Sequence, residues 1–270
     1  MKLSVIALSI ALISGNAFAQ TENVDNRENL IENSSQFLKQ QVRSSNSVSR
    51  AVRTVLDRYP ENTAQLVEAA LDMYPEKYRE IISAAVSSQP AYIDDIIELA
   101  IDRKLAPPTE IVTLVINAEP SYAEYATEAA CKFSPDEFNE IVRTAVLMEP
   151  DSADQIAKTL ARTYPNKTLE VLVTTIQEVP LVGKYVVDAL LALFPENSSE
   201  SESMIIISVE QLAQHPEALE RLVELAEERG IEQEQISASA MRGGLTNAQA
   251  QVYVNKFYEE KIEDAETIVK

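Results

Sequence analysis

Cys131 and His215 are the only cysteine and the only histidine in the chain, so neither a thiol and imidazole pair nor a zinc set of recognisable spacing is spelled out. Cys131 falls on an apolar stripe and is read as a small core residue, while His215 precedes Pro216 and is read as an exposed turn residue. Nothing resembles a serine nucleophile elbow. Five glycines leave no phosphate cradle, and Gly183-Lys184 lacks the rest of a nucleotide-binding loop. Carboxylates are the one catalytic resource in quantity, but adjacent pairs such as Asp94 and Asp95, or Glu259 and Glu260, belong to polar helix faces, where charge runs are solvated. The acidic stretches also lack the alternating Asp/Asn and the glycine of a calcium loop. The expectation is therefore a protein with no catalytic residues, no metal site and no cofactor: not an enzyme.

Tyrosine is the residue type whose placement suggests recognition. Tyr92 and Tyr122 each stand two residues after a proline and thirty residues apart. Tyrosine adds rigid contact area with a hydrogen-bonding tip, which suits a partner-binding edge. The competing reading places both rings at the core margin, sealing helix pairs.

The elements that position these residues are set by proline. Nine of the twelve prolines, Pro60, Pro75, Pro90, Pro120, Pro135, Pro150, Pro165, Pro180 and Pro195, share a fifteen-residue spacing interrupted only at Leu105. Counted from each proline, position six (Leu66, Ile81, Ile96, Ile141, Ile156 and Val186 among others) is apolar, position seven is nearly as apolar, and positions ten and eleven are apolar but for Thr175 at position ten. Spacings of three, four and seven place them on one helical face. Each unit then supplies a helix of about eleven residues, roughly 16 Å long, and a short turn. A single kinked helix is excluded because each interior proline costs on the order of 3 kcal/mol, whereas proline at a helix start costs little. Ser134 with Glu137, and Ser121 with Glu124, read as capping boxes at such starts.

Aromatic residues come just before Pro75, Pro135, Pro165 and Pro195, but Gln89, Glu119 and Glu149 precede the prolines between; Tyr59 before Pro60 breaks this alternation. The true repeat is thus about thirty residues, two antiparallel helices. Ala106-Pro107-Pro108 predicts an irregular, wider loop where the lattice skips Leu105. The fold class is all-α, an α-solenoid of fifteen-residue single-helix units pairing as hairpins of about thirty residues, with a divergent helical C-terminal cap. Such hairpins resemble in a general way α-solenoid repeats such as tetratricopeptide arrays. The signature positions of those arrays and their period of about thirty-four residues are missing, so the resemblance implies architecture alone.

The expected domains follow. Residues 1–19 have the layout of a secretory leader: Lys2, an apolar run from Leu3 to Ile13, and Ala17-Phe18-Ala19 before Gln20, with cleavage expected between Ala19 and Gln20. Residues 20–44 form a polar linker or capping helix (27–42), 45–195 the repeat array, and 196–270 a helical C-terminal region. In that region 197–201 reads as a polar turn, one helix closes at Gly230 and another at Gly243-Gly244, and a Thr246/Gln249 box opens a last helix carrying Val252, Phe257 and Ile262. An alanine-rich leader end suits a Gram-negative bacterial source, and localisation is expected to be periplasmic or extracellular, with no membrane span.

A formal charge of −20, 43 acids against 23 bases, excludes nucleic acid and anionic membrane surfaces as expected partners and favours a protein or peptide with a basic surface. The function these features predict is an exported, non-enzymatic scaffold or adaptor for protein–protein interaction. A self-associating structural component of the cell surface or matrix is the alternative, and a carboxylate-based hydrolase comes last.

Overall fold

The structure is a computed structural model that describes residues 35–196 and 198–258. The leader with Ala19 and Gln20, Asn197, the Glu259 and Glu260 pair and Ile262 lie outside these residues. Among the described residues there are fifteen α-helices and no strand. They are α1 (35–45), α2 (Val48–Arg58), α3 (Thr63–Met73), α4 (Tyr78–Ser88), α5 (Ile93–Asp102), α6 (Pro108–Ala118), α7 (Ala123–Phe133), α8 (Phe138–Met148), α9 (Ala153–Thr163), α10 (Thr168–Glu178), α11 (Gly183–Leu191), α12 (Ser199–Gln211), α13 (Pro216–Glu228), α14 (Gln233–Arg242) and α15 (Asn247–Tyr258).

The fifteen-residue unit resolves into one non-helical residue, a three-residue 3-10 turn beginning at proline, and an eleven-residue helix, as in Tyr164, Pro165–Lys167 and α10. Its economy lies in the backbone. The residue before proline is kept out of the helical region by the proline ring, and Tyr164 sits at φ −125, ψ 69. Its N–H still closes the preceding helix on Leu160 O (2.7 Å), and its carbonyl accepts the Lys167 N–H (2.9 Å). Four residues thus reverse the chain with these donors satisfied, and proline removes one that would otherwise be orphaned.

That arrangement corrects the expected capping boxes. The Ser134 side chain makes no cap bond, because the Glu137 N–H already donates to the Ser134 carbonyl. Ser121 Oγ donates to Glu119 Oε1 (2.6 Å), and Glu124 instead accepts from Thr159. Side-chain caps occur where no 3-10 turn precedes the helix: Ser47 at α2, Ser198 at α12, and the Thr246/Gln249 box at α15. Ser199 to Ser201 accordingly belong to α12, where a polar turn was expected.

The chain divides into two compact units, the first ending at Leu99 and the second beginning at Ala100. In the first, α2 packs on α4 and both pack on α3. Leu38 of α1 is buried, and Phe37 meets Tyr59 edge-on at 5.7 Å. In the second, each helix packs on its neighbour and on the helix after that. An even layer (α6, α8, α10, α12, α14) and an odd layer (α7, α9, α11, α13, α15) result, and the thirty-residue period is the step along a layer. This is an all-α solenoid arrangement in which the contacts of α12 with α10 and α11 carry the packing past Pro195.

The apolar stripe is the core. Ile81, Ile96, Ile141, Ile156 and Val186 are fully buried, as are Thr127 and Thr175 at the same register as their apolar counterparts. Helices this short are marginal alone, so burial between neighbours sustains them. Polar bonds link helices one layer step apart: Arg143 Nε to Glu178 (2.6 Å), Gln177 to Gln211 (2.7 Å) and Arg242 to Glu210 (2.8 Å) along the even layer, Thr159 to Glu124 and Thr163 to Glu128 along the odd. At the interrupted lattice point the 3-10 turn is replaced. Lys104 takes the left-handed conformation (φ 52), Leu105 N–H bonds Ala100 O, and α6 opens with Pro108 at its first position. In α15 the buried residues are Ala250 and Val254, while Val252 is 71% exposed, so the last helix turns a different face inward than its largest apolar residues suggested.

Candidate recognition surface

Tyr92 and Tyr122 each end a 3-10 turn, Pro90–Tyr92 and Pro120–Tyr122, and donate their N–H to the carbonyls of Gln89 (3.0 Å) and Glu119 (3.1 Å). Both are half-buried. Tyr92 belongs to the first unit and Tyr122 to the second, and each is described in its own unit. The Tyr122 ring lies 5.8 Å from that of Tyr125, tilted by 49°.

Tyr125 leads to residues the sequence reading missed. It holds position five after its proline on α7. The equivalents on α9 and α11 are Gln155 and Tyr185, and all three are exposed in the first turn of successive odd-layer helices. With neighbouring helix axes about 8–10 Å apart, they form a strip along one edge of the layer. Leu181, in the 3-10 turn before α11, is 87% exposed beside it. The signal was present in the sequence as tyrosines at one register, but only in alternate copies of the thirty-residue repeat.

The electrostatics of the strip are mostly acidic. Glu124, and behind it Glu128, push the Tyr125 hydroxyl pKa up by opposing a second negative charge. The Lys184 ammonium stands 5.1 Å from the centre of the Tyr185 ring and 3.9 Å from Glu217, so it is already engaged on both sides.

The other residues singled out in the sequence stand apart from this strip. Cys131 is buried on α7, and burial pushes its thiol up to about 12, so it stays protonated and unreactive at neutral pH. His215 is half-buried, not the exposed turn residue expected, and it precedes α13 with its N–H on Leu212 O (2.9 Å). Asp94 and Asp95 are exposed in the first turn of α5. A polar cleft of about 330 Å³ gathers Glu196, Glu202 and Glu232 around Arg229, whose guanidinium donates to the Glu196 carbonyl. Among the described residues no group of His, Cys, Asp and Glu is arranged to hold a metal ion, and no helix is long and apolar enough to cross a membrane.

The class the fold defines is thus an all-α helical-repeat protein with an aromatic strip on one layer edge. No known protein family, curated protein or solved structure matches the chain.

Proposed function

We propose that the protein is an exported, non-enzymatic scaffold, acting in a bacterial envelope or outside the cell, that holds a protein or peptide partner with a basic surface. The observation that carries this reading is the exposed strip of Tyr125, Gln155 and Tyr185 with Leu181 at its end and Tyr122 against Tyr125, on helix starts fixed by proline turns. Tyrosines on rigid elements offer contact area at small entropic cost, and clustered exposed apolar groups mark interaction surfaces. Net charge of −20 favours a cationic partner and association that slows as salt rises. Tyr92 supplies a similar ring at the equivalent turn of the first unit.

The experiment is crosslinking of the tagged protein in its native envelope and identification of what it captures, repeated with Tyr122→Ala, Tyr125→Ala and Tyr185→Ala combined. Loss of a basic partner from the variant supports the reading. Undiminished capture discards the strip, and capture of nothing but further copies of the chain replaces the scaffold with a self-associating structural protein, which light scattering at rising concentration also registers.

A further inference from the structure

The second unit contains one internal template for an aromatic pocket and one unfilled copy of it. In the template, Phe138 at the start of α8 meets Tyr164 edge-on, 5.4 Å between centroids, and the Lys167 ammonium caps the Phe138 ring at 3.9 Å. Thirty residues on, Tyr164 becomes Phe194 but Phe138 becomes Thr168. A threonine cannot occupy the volume of a phenyl ring, and a cavity of about 250 Å³ opens there, lined by Thr168, Leu169, Phe194, Met204, Asn166 and Glu200. Thr168 donates its hydroxyl to the Pro165 carbonyl (2.9 Å), so that polar group is satisfied within the α10 turn. Met204 is fully buried at the floor and Leu169 is 42% exposed at the rim.

The cation of the template is also inverted. The buried positions of α10 (Thr168, Val171, Leu172, Thr175, Ile176) recur in α12 thirty-three residues later (Ser201, Met204, Ile205, Ser208, Val209), so the counterpart of Lys167 is Glu200. Where the filled copy holds ring and ammonium in one chain, the open copy lacks the ring and carries a carboxylate.

We infer that this cavity between the starts of α10 and α12 is a binding pocket for a peptide segment in which a phenylalanine or tyrosine is followed by a lysine or arginine. The ring takes the place that Phe138 fills one repeat earlier, edge-on to Phe194, and the flanking cation pairs with Glu200 at the rim. Phe194 and Met204 provide the ring and sulfur contacts such a side chain gains on burial. The pocket lies on the even layer, so it stands or falls independently of the tyrosine strip on the odd layer.

The test uses the full chain with ¹³C-methyl methionine and the peptide acetyl-Gly-Phe-Lys-Gly-amide at millimolar concentration. A saturable shift of the Met204 methyl resonance, with Met73 and Met148 unmoved, is expected. Peptides with alanine for the phenylalanine or glutamate for the lysine should bind about tenfold more weakly or worse. Thr168→Phe supplies the ring from within and should abolish the response while circular dichroism shows the helices intact. Glu200→Gln, an exposed change that leaves the core alone, should weaken binding several-fold and decides the matter if Thr168→Phe does not fold, whereas Tyr125→Ala should leave it unchanged. An unmoved Met204 resonance, equal binding of the alanine or glutamate peptide, or full affinity in Glu200→Gln overturns the proposal.

Discussion

The rings of Phe138 and Tyr164 stand edge to face, 5.4 Å apart and 83° to one another, joining the first residue of α8 to the residue that precedes the α10 turn. Phe138 is 3% exposed, so its removal leaves a hole at the junction between two hairpins. Phe138→Ala should cost about 3–5 kcal/mol. Urea denaturation of the variant measures the loss, and a loss below about 1 kcal/mol would show that the ring is not held in that junction.

Gly243 is required by space. It follows α14 at φ −74, an ordinary conformation, but a Cβ there would come within 2.1 Å of the Glu210 carbonyl oxygen and 2.5 Å of Ala213 Cβ. Backbone cannot rotate away as a side chain can. Gly243→Ala should therefore destabilise the second unit by about 1–3 kcal/mol or more, while Gly230→Ala, with open space around it, pays only for its positive φ of 70. A thermal melt in which the two variants fall together would contradict the close approach of α14 to the end of α12.

Thr175 is fully buried in α10, and its hydroxyl has no hydrogen-bond partner among the described residues. Valine has the same shape without the polar atom, and removing an unsatisfied group stabilises by about 1 kcal/mol. Thr175→Val should raise the urea midpoint with an unchanged slope. A lower midpoint would show that the hydroxyl is satisfied in solution.

Alkaline pH should destabilise the fold through two acids. Burial pushes both the Cys131 thiol and the Tyr258 phenol up to about 12. Well below their ordinary pKa values, 9.0 for the thiol and 10.0 for the phenol, both are protonated in both states and cost nothing. Above the unfolded pKa the unfolded chain releases the proton and the folded chain retains it, so stability falls as pH rises toward 12, by at most about 1.4 kcal/mol per unit for the fully buried thiol. Comparing Cys131→Ala with the parent across that window isolates the thiol, and parallel profiles would show that it ionises freely in the native state. An aromatic disulfide reagent at neutral pH should label Cys131 only after unfolding.

The amino-acid order by itself determined the helices and their pairing. Proline every fifteen residues admits only one kind of junction, because its ring fixes φ, removes a donor and bars the preceding residue from the helix. Apolar spacing then names the buried face, and Ile81, Ile96, Ile141, Ile156 and Val186 are all in it. These are local constraints, written within one or two turns of chain. The capping boxes at Ser121 and Ser134 misled because a serine and a glutamate at the right spacing say nothing of whether a 3-10 turn already holds the donors. Tertiary structure decided which outward residues share an edge and where the packing is incomplete. Tyr125 and Tyr185 become neighbours of one strip only once α7, α9 and α11 lie side by side, and Thr168 at the register of Phe138 borders a cavity only because Phe194, in the connection before α12, and Met204 of α12 line it as well. A missing ring leaves no trace in a periodicity that counts threonine as a permitted residue; its consequence depends on what stands across the gap, and that is set by packing between residues far apart in the chain.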